Sequence, residues 1–560
     1  MKGFLFLLLV TGICAQQSHY ADFLWGSIPG PQQQPCRDFA KAVCTNKTSM
    51  SSALKELFKY QVNQAFKDFK PDAVTQELYE AAKDYEEENC QVDISIPPNS
   101  TLYGSFVASG MTDISVKIHS DTKIIEVRLN NKSEVDFLRV YNVTNFDIVY
   151  EKDVIAYLDS EKASKSSFAK KIRTLGTESD DSTNDFSIHR LRNSAYTDLL
   201  IASVLLKVNP SLVHNPKLYR KMRAIAEDVL KEIQLLFGVM DYPSSIRHYL
   251  CLGVDDFLFG PPETFLNENM VRKALTLYQL YFRVTAPFTR INLKHWNLPL
   301  ECRVAYYDVL FTVADQAFQL YYGYDFGHSG NSFFVENAYN AMNGKLIFGH
   351  PYIYGYDFGF PIEYVYGSIG SVIGHEIFHS YGVNQILTDA VHDVFYNDIY
   401  QEAHDCLKDY YGNFVGPGGI KPNGTLKANE GFADIQSARV IARLVKRITM
   451  KRIQGNNSAW PRSHRKAQEA EIQKALQLAF VGMAEIDCRS YIKERNDSEE
   501  EVQSLKTDSH PRSAIRANAM VLQVAEFTDA FRCTPDDKLY HDPEEACEAF
   551  PIRQKSDFWH

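Results

Sequence analysis

The residues of this sequence best suited to chemistry are two histidines four positions apart, with a carboxylate beside the first. The stretch SVIGHEIFHSYGVNQ contains His375, Glu376 and His379. Side chains four apart lie on one face of a helix, so both imidazoles could bind one zinc ion at about 2.0–2.1 Å. Zinc lowers the pKa of a bound water, and Glu376 could accept its proton. The stretch therefore predicts a zinc site that cuts peptide bonds, with a chance pair on a helix face as the alternative.

A third protein ligand is needed, and the sequence offers two candidates. The nearer one follows the spacing HExxHxxGxxH, but its last position is Gln385, and a neutral amide is a poor zinc ligand. The other lies in ANEGFADIQSAR, where Glu430 and Asp434 are four apart and share a helix face. Glu430 could bind the metal, while Asp434 accepts the N–H of a ligating imidazole. We expect the second arrangement, although without the histidines these would be two solvated carboxylates.

The whole chain has 560 residues, of which 45% are hydrophobic, so it can bury a large core and form more than one domain. Its net charge of -11 argues against a nucleic acid or an anionic membrane surface as a partner. The first 15 residues, MKGFLFLLLVTGICA, have the layout of a cleaved signal peptide. Their apolar run is shorter than the roughly 20 residues of a membrane span, so we expect a secreted, extracellular protein without a transmembrane anchor.

Cysteines and glycosylation motifs agree with secretion. Nine cysteines follow the predicted signal peptide and contain no CxxC pattern, which favours disulfides with one thiol left over. Seven N-glycosylation motifs predict N-glycans. These motifs begin at Asn46, Asn99, Asn131, Asn142, Asn423, Asn456 and Asn496.

Hydrophobic periodicity predicts a chain with many helices and few strands. Apolar residues recur at helical spacing in SALKELFKYQVNQAFKDF, AYTDLLIASVLLKV and LYRKMRAIAEDVLKEIQLLF. Alternation in DISVKIHSDTKIIEVRL and VDFLRVYNV predicts short strands. The stretch FFVENAYNAMNGKLIF, which comes before the histidine motif in the chain, predicts a hairpin that turns at Asn343-Gly344.

The motifs together resemble the neprilysin family of zinc metalloendopeptidases, which are gluzincins. VIGHEIFH followed by NEGFAD carries the resemblance, and ENAYN, TDSHPRSAIRAN, VAEFTDAFRC and PCRDFAKAVC extend it from about Pro35 to Cys547. The resemblance implies an α+β, mainly α-helical protein. It would have a thermolysin-like catalytic domain and a second, largely helical domain that encloses the active site.

The resemblance also implies roles for the matched residues. Asn337 and Ala338 would bind the substrate backbone along an edge strand. His510, with Asp508 nearby, would stabilise the oxyanion of the transition state, and Arg516 would hold a substrate carbonyl. The alternative for His510 is an ordinary surface histidine, and the alternative for Arg516 is a surface salt bridge. The two histidines and Glu430 would bind one Zn²⁺ per chain. With this zinc the protein would hydrolyse oligopeptides on the amino side of bulky apolar residues.

The domain boundaries and disulfides follow from the same resemblance. We expect a signal peptide at 1–15, an N-terminal segment at 16–110 joined to the catalytic half, a mixed then helical domain at 111–325 and the zinc domain at 326–560. Four disulfides are implied, and Cys251 is left over. They are Cys36–Cys533, Cys44–Cys488, Cys90–Cys302 and Cys406–Cys547.

Several positions depart from the family pattern. Phe378 and Ser380 replace a threonine and a glycine around the second histidine, and Gly431 replaces an asparagine after Glu430. His350 lies where it could alter the substrate pocket. No predicted metal ligand is lost, but a secreted protein that keeps the fold, binds peptides and is catalytically impaired is the main alternative.

Overall fold

The computed structural model describes the C-terminal half of the chain most completely. The predicted signal peptide and the strand prediction VDFLRVYNV lie outside the described residues. The described residues are 23–44, 49–71, 114–119, 124–129, 149–150, 195–237, 257–261, 263–269, 271, 333–334, 336–340, 346–380, 398–414, 421–456, 465–486, 488 and 505–547.

Helices make up most of the described structure, as the hydrophobic periodicity predicts. The three helices predicted before residue 240 are confirmed, and the second has the predicted bounds. The α-helices are α1 (Phe39–Cys44), α2 (Met50–Asp68), α3 (Ala195–Val208), α4 (Pro216–Phe237), α5 (His350–Ile353), α6 (Ile362–Val365), α7 (Ser371–His379), α8 (Asp398–Gly412), α9 (Gly424–Asn456), α10 (Arg465–Glu485), α11 (Ser513–Leu522) and α12 (Ala525–Phe531). Short 3₁₀ turns span Pro31–Gln33, Pro210–Leu212 and Glu263–Leu266.

Two small sheets accompany the helices. The first joins β1 (Ile114–His119), β2 (Ile124–Leu129) and β3 (Val149–Tyr150) as an antiparallel sheet. The second has the order β4-β6-β5 and is formed by Phe257–Phe259 (β4), Ala338–Asn340 (β5) and Leu346–Phe348 (β6). β5 pairs antiparallel with β6, so both strands of the predicted hairpin are present, while its turn lies outside the described residues.

The histidine helix continues directly from the elements before it. α6 passes through a π-helical turn, Tyr366–Gly370, into α7. At Gly367 an added Cβ would lie 2.0 Å from the carbonyl oxygen of Ala479 in α10, so only glycine permits this close crossing. π-Turns are often found at functional sites because they shift the register of the helix that follows.

The second half of the candidate site comes from α9, the longest described helix. α9 packs along α7, and the Ser437 hydroxyl donates a 2.5 Å hydrogen bond to the Ser371 carbonyl. Most of the side chains of α9 between Ala428 and Val445 are buried. The helix is therefore an interior element, and its polar residues must find partners inside the protein.

The chain divides into two compact units. One comprises residues 1–58, 216–259 and 336–560, and includes every candidate site residue. The other comprises residues 59–215 and 260–335 and contains α3 and the β1-β2-β3 sheet. The α+β, mainly helical class is confirmed, whereas the domain boundaries and the enclosure of the site stay predictions.

Three of the four implied disulfides are present. Cys36–Cys533 and Cys44–Cys488 tie the N-terminal segment to the C-terminal half, and Cys406–Cys547 joins α8 to the last described residue. Their sequence separations of 497, 444 and 141 residues are long, and cross-links of this kind strongly restrict the unfolded chain. The fourth pair and Cys251 lie outside the described residues. Among the described helices, none combines the length and the apolar character needed to cross a membrane.

Candidate metal centre and active site

Three potential metal ligands converge between α7 and α9. The Nε2 atoms of His375 and His379 are 2.9 Å apart. The Oε2 atom of Glu430 lies 3.3 Å from Nε2 of His375 and 3.6 Å from Nε2 of His379. We call these three residues the metal triad. The structure thus brings together the two histidines and the downstream glutamate, which are 51 residues apart along the chain at the closest.

The geometry and the chemistry of the metal triad fit a zinc ion. Ligands at about 2.0–2.1 Å in a tetrahedral arrangement have donor atoms roughly 3.3–3.4 Å apart, and the observed separations of 2.9–3.6 Å span that value. Two imidazoles and one carboxylate leave a fourth position for water or substrate. The Oε2 atom of Glu430 is buried without a hydrogen-bond partner in the described structure. A buried carboxylate oxygen of this kind is suited to a cation.

A chain of polar contacts supports the first histidine. Nδ1 of His375 lies 2.8 Å from Oδ1 of Asp434. Asp434 also accepts two hydrogen bonds from Arg516, each 2.7 Å long, from its Nε and Nη2 atoms. This arrangement fixes which imidazole nitrogen carries the proton and directs Nε2 to the metal position. Arg516, predicted from the sequence to hold a substrate carbonyl, thus also anchors Asp434.

The electrostatic field of the site favours a positive charge at the metal position. Burial would lower the pKa of His375, but the Asp434 carboxylate, with Glu430 and Glu376, outweighs it and raises the pKa to about 10. For Asp434 burial acts in the opposite direction and would raise the pKa, but the positive charges of Arg516 and His375 lower it to about 2. Glu430 is held ionised in the same way, since the two imidazoles lower its pKa despite burial. A bound cation would satisfy the carboxylates that otherwise attract a proton to His375.

Glu376 lies in an environment suited to a general base. Its side chain is buried on α7 directly after the first ligand. Burial raises its pKa, while the positive field of His375 and His379 opposes the rise. A carboxylate with a raised pKa accepts a proton more readily, which is the property required of a base that activates water.

His510 reaches the metal triad from the loop before α11. Its Nε2 atom lies 3.3 Å from Oε2 of Glu430, and its Nδ1 atom lies 3.3 Å from Oδ1 of Asp508. Asp508 also accepts a 2.8 Å hydrogen bond from the backbone N–H of His510. The imidazole is 55% exposed, so one face remains open to a substrate.

The edge strand that could bind a peptide lies beside the metal helix. β5 begins at Ala338, which is buried, and Asn337 before it is exposed. The Asn337 carbonyl accepts a 2.9 Å hydrogen bond from the Gly349 backbone. Among the described strands β5 is bonded to β6 alone, so its other edge could accept an added strand.

Two further sequence predictions have different outcomes. His350 is fully buried and lies among aromatic rings, with Nδ1 3.2 Å from the Tyr219 hydroxyl. It is therefore a core residue, and its effect on the substrate pocket stays a prediction. Gln385, the alternative third ligand, lies outside the described residues.

Sequence reasoning missed three residues around the site. Lys427 donates hydrogen bonds to the backbone of the His510 loop, and Asn340 donates to the Glu376 carbonyl. The ring of Tyr411 occupies the space left by Gly431. The only available signal was spacing: Lys427 lies three residues before Glu430, on the same helix face.

Comparison with known proteins agrees with these motifs. Residues 331–547 match the family model of peptidase family M13. Mouse neprilysin is 30% identical over 200 residues, and neprilysin-1 of Caenorhabditis elegans is 28% identical over 185 residues. The matched segments span 33% and 32% of this chain, but only 24% and 23% of the two relatives.

A solved structure of a zinc metalloprotease from Mycobacterium tuberculosis, in complex with an inhibitor, also aligns with the chain. It is 13% identical, with a TM-score of 0.45, and the alignment covers 92% of this chain and 97% of that one. The likeness to this family rests on the sequence matches. Over residues 331–547 the chain matches the model of peptidase family M13, and the resemblance to neprilysins found in its motifs is confirmed.

Proposed function

We propose that the protein is a secreted zinc metalloendopeptidase that hydrolyses internal bonds of short peptides. The convergence of His375, His379 and Glu430 within ligand distance of one point carries this proposal. The buried carboxylate of Glu376 beside the ligands supports it, and so does the match of residues 331–547 to the model of a peptidase family.

The metal triad would hold one zinc ion, which supplies Lewis acidity and an acidic bound water. Asp434 keeps the Nδ1 proton of His375 in place, so that Nε2 is free to act as a ligand. Glu376 accepts a proton from the attacking water and passes it to the leaving amide nitrogen.

Two groups outside the metal triad act on the substrate. His510 donates a hydrogen bond to the oxygen that gains negative charge in the transition state, a contribution worth about 10²–10³ in kcat in well-studied hydrolases. Arg516 holds a substrate carbonyl while its other nitrogens remain on Asp434. The backbone of the peptide lies along Asn337 and Ala338 as an added strand.

Specificity and setting are part of the same proposal. We infer cleavage on the amino side of bulky apolar residues, secretion after removal of residues 1–15, and N-glycans. The proposed domain arrangement is that predicted from the sequence: 16–110 joined to the catalytic half, a second domain at 111–325 and the zinc domain at 326–560.

The decisive experiment compares the wild type with Glu376→Gln. We expect the wild type to cleave a quenched fluorescent peptide and to lose activity with a zinc chelator. The variant should keep about one zinc per chain and lose nearly all turnover, because a neutral amide cannot accept the proton. Glu402→Gln, an exposed position on α8, is the matched control and should behave as the wild type.

Two results would count against the proposal. Equal turnover in wild type and Glu376→Gln would remove the general base. A wild type that binds zinc and peptide but shows no chelator-sensitive turnover would favour the catalytically impaired peptide-binding protein.

A further inference from the structure

Three residues on one face of α9 each contact the segment 508–516. They are Lys427, Glu430 and Asp434, at positions i, i+3 and i+7, which form one stripe on a helix. Glu430 faces the imidazole of His510, and Asp434 binds Arg516. Lys427 differs from the other two because it binds the backbone of the segment rather than a side chain.

The ammonium group of Lys427 is bonded to both ends of a three-residue stretch. The residue is only 1% exposed. Its Nζ atom donates one hydrogen bond to the Asp508 carbonyl and another, 2.9 Å long, to the His510 carbonyl. Hydrogen bonds from a charged donor are about twice as strong as neutral ones, and a buried ammonium without them would be costly. The stretch from Asp508 to His510 is therefore held from inside the protein.

This anchor matters because residues 506–510 are exposed, and Lys427 holds the backbone of this stretch to α9. The imidazole is 55% exposed, and its nitrogens lie within 3.4 Å of Glu430, Asp508 and Ser509. Asp508 and Ser509 belong to the same loop, so they would move together with it. The distance from His510 to the metal triad thus depends on where the backbone of the loop is fixed.

We propose that Lys427 is the positioning residue for His510 and holds its imidazole at the distance needed to stabilise the transition state. The inference rests on the proposed function and adds to it. Since misplacement by about 1 Å can cost 10²-fold in rate, loss of the anchor affects kcat without changing the ligands of the metal. A merely structural lysine would instead alter stability, with activity following the folded fraction.

A double-mutant cycle separates these two roles. Lys427→Met removes the positive charge and keeps an unbranched side chain of similar length. We expect kcat to fall about 10- to 100-fold, with little change in KM and with wild-type zinc content. In a His510→Phe background the same substitution should cost less than about twofold, because the residue it positions is already absent. Lys451→Met, exposed on the same helix, is the control and should leave kcat unchanged.

A second measurement does not depend on turnover. Hydrogen exchange, read by mass spectrometry in peptides covering residues 505–512, should become faster in Lys427→Met but not in Lys451→Met, while exchange in α7 stays the same. Additive losses in the cycle, wild-type kcat in Lys427→Met, or unchanged exchange in the loop would each overturn the inference. If the wild type has no chelator-sensitive turnover, the proposed function fails, whereas the exchange measurement still decides whether Lys427 anchors the loop.

Discussion

Gly431 offers a quantitative test of how tightly the site is packed. It follows the metal ligand Glu430 on α9, and an added Cβ would lie 2.0 Å from Cε2 and 2.4 Å from Cζ of Tyr411. The shortest ordinary contact is 3.4 Å, so the ring would have to move by roughly 1.4 Å. Tyr411 is fully buried and packs against Tyr410 and Phe414, which limits this movement.

Two opposing effects decide the outcome of Gly431→Ala. Alanine is favoured over glycine in a helix interior by about 1 kcal/mol. Overpacking of a closed core typically costs about 1–3 kcal/mol, and the overlap with Tyr411 is near the severe end. We therefore expect a net loss of about 2 kcal/mol in the free energy of unfolding. Because the strain falls next to Glu430, zinc affinity should drop about 10-fold or more.

Thermal unfolding of the metal-free protein and chelator competition for zinc measure these two effects. Tyr411→Leu supplies the compensation test, because a smaller side chain opens the space above Gly431. Alanine at 431 should cost clearly less in that background than in the wild type, although Tyr411→Leu itself destabilises by leaving a cavity. If Gly431→Ala is as stable as the wild type and binds zinc equally well, the packing argument is wrong.

Three more outcomes follow from the contacts of the site. Asp434→Asn should lower zinc affinity about 10- to 100-fold in chelator competition, and an unchanged affinity would refute its support of His375. Zinc binding near neutral pH should release close to one proton, measured by calorimetry in buffers of different ionisation enthalpy. Without zinc the pKa of His375 is about 10, so near neutral pH its imidazole must lose a proton before it can bind the metal. Zinc affinity should therefore rise with pH up to about pH 10, and a proton release near zero would contradict this reasoning. Asn340→Leu should raise KM more than it lowers kcat, because its side-chain amide joins β5 to the Glu376 carbonyl and to the Ser380 hydroxyl at 2.7 Å each; an equal fall in kcat would argue against this.

The sequence predicts the parts of this structure that depend on local pattern. α3 has the predicted bounds because apolar residues fill ten of its 14 positions and polar residues lie just outside both ends. The hairpin strands β5 and β6 follow from alternation on both sides of an Asn-Gly turn. The convergence of His375, His379 and Glu430 was predicted because each motif alone places its ligands on one helix face, so only one long-range contact had to be assumed.

The contacts that the sequence does not reveal are long-range and involve ordinary residues. Lys427 and the carbonyls it binds are more than 80 positions apart, and a lysine on a helix is usually a solvated residue. Tyr411 and Gly431 lie 20 positions apart on different helices, and neither residue type indicates a partner. Such pairs depend on how the helices are placed, which helical periodicity does not determine.

The departures from the family pattern around the metal triad are each matched by a neighbouring residue. Phe378, in place of a threonine, is fully buried and forms an edge contact with Phe432, with ring centroids 5.9 Å apart. Ser380, in place of a glycine, accepts a hydrogen bond from Asn340. The space at Gly431 is filled by a tyrosine ring. A site that had lost its function without repacking would be expected to leave cavities at such positions. These substitutions therefore give no reason by themselves to expect lost activity, and Glu376→Gln tests the chemistry directly.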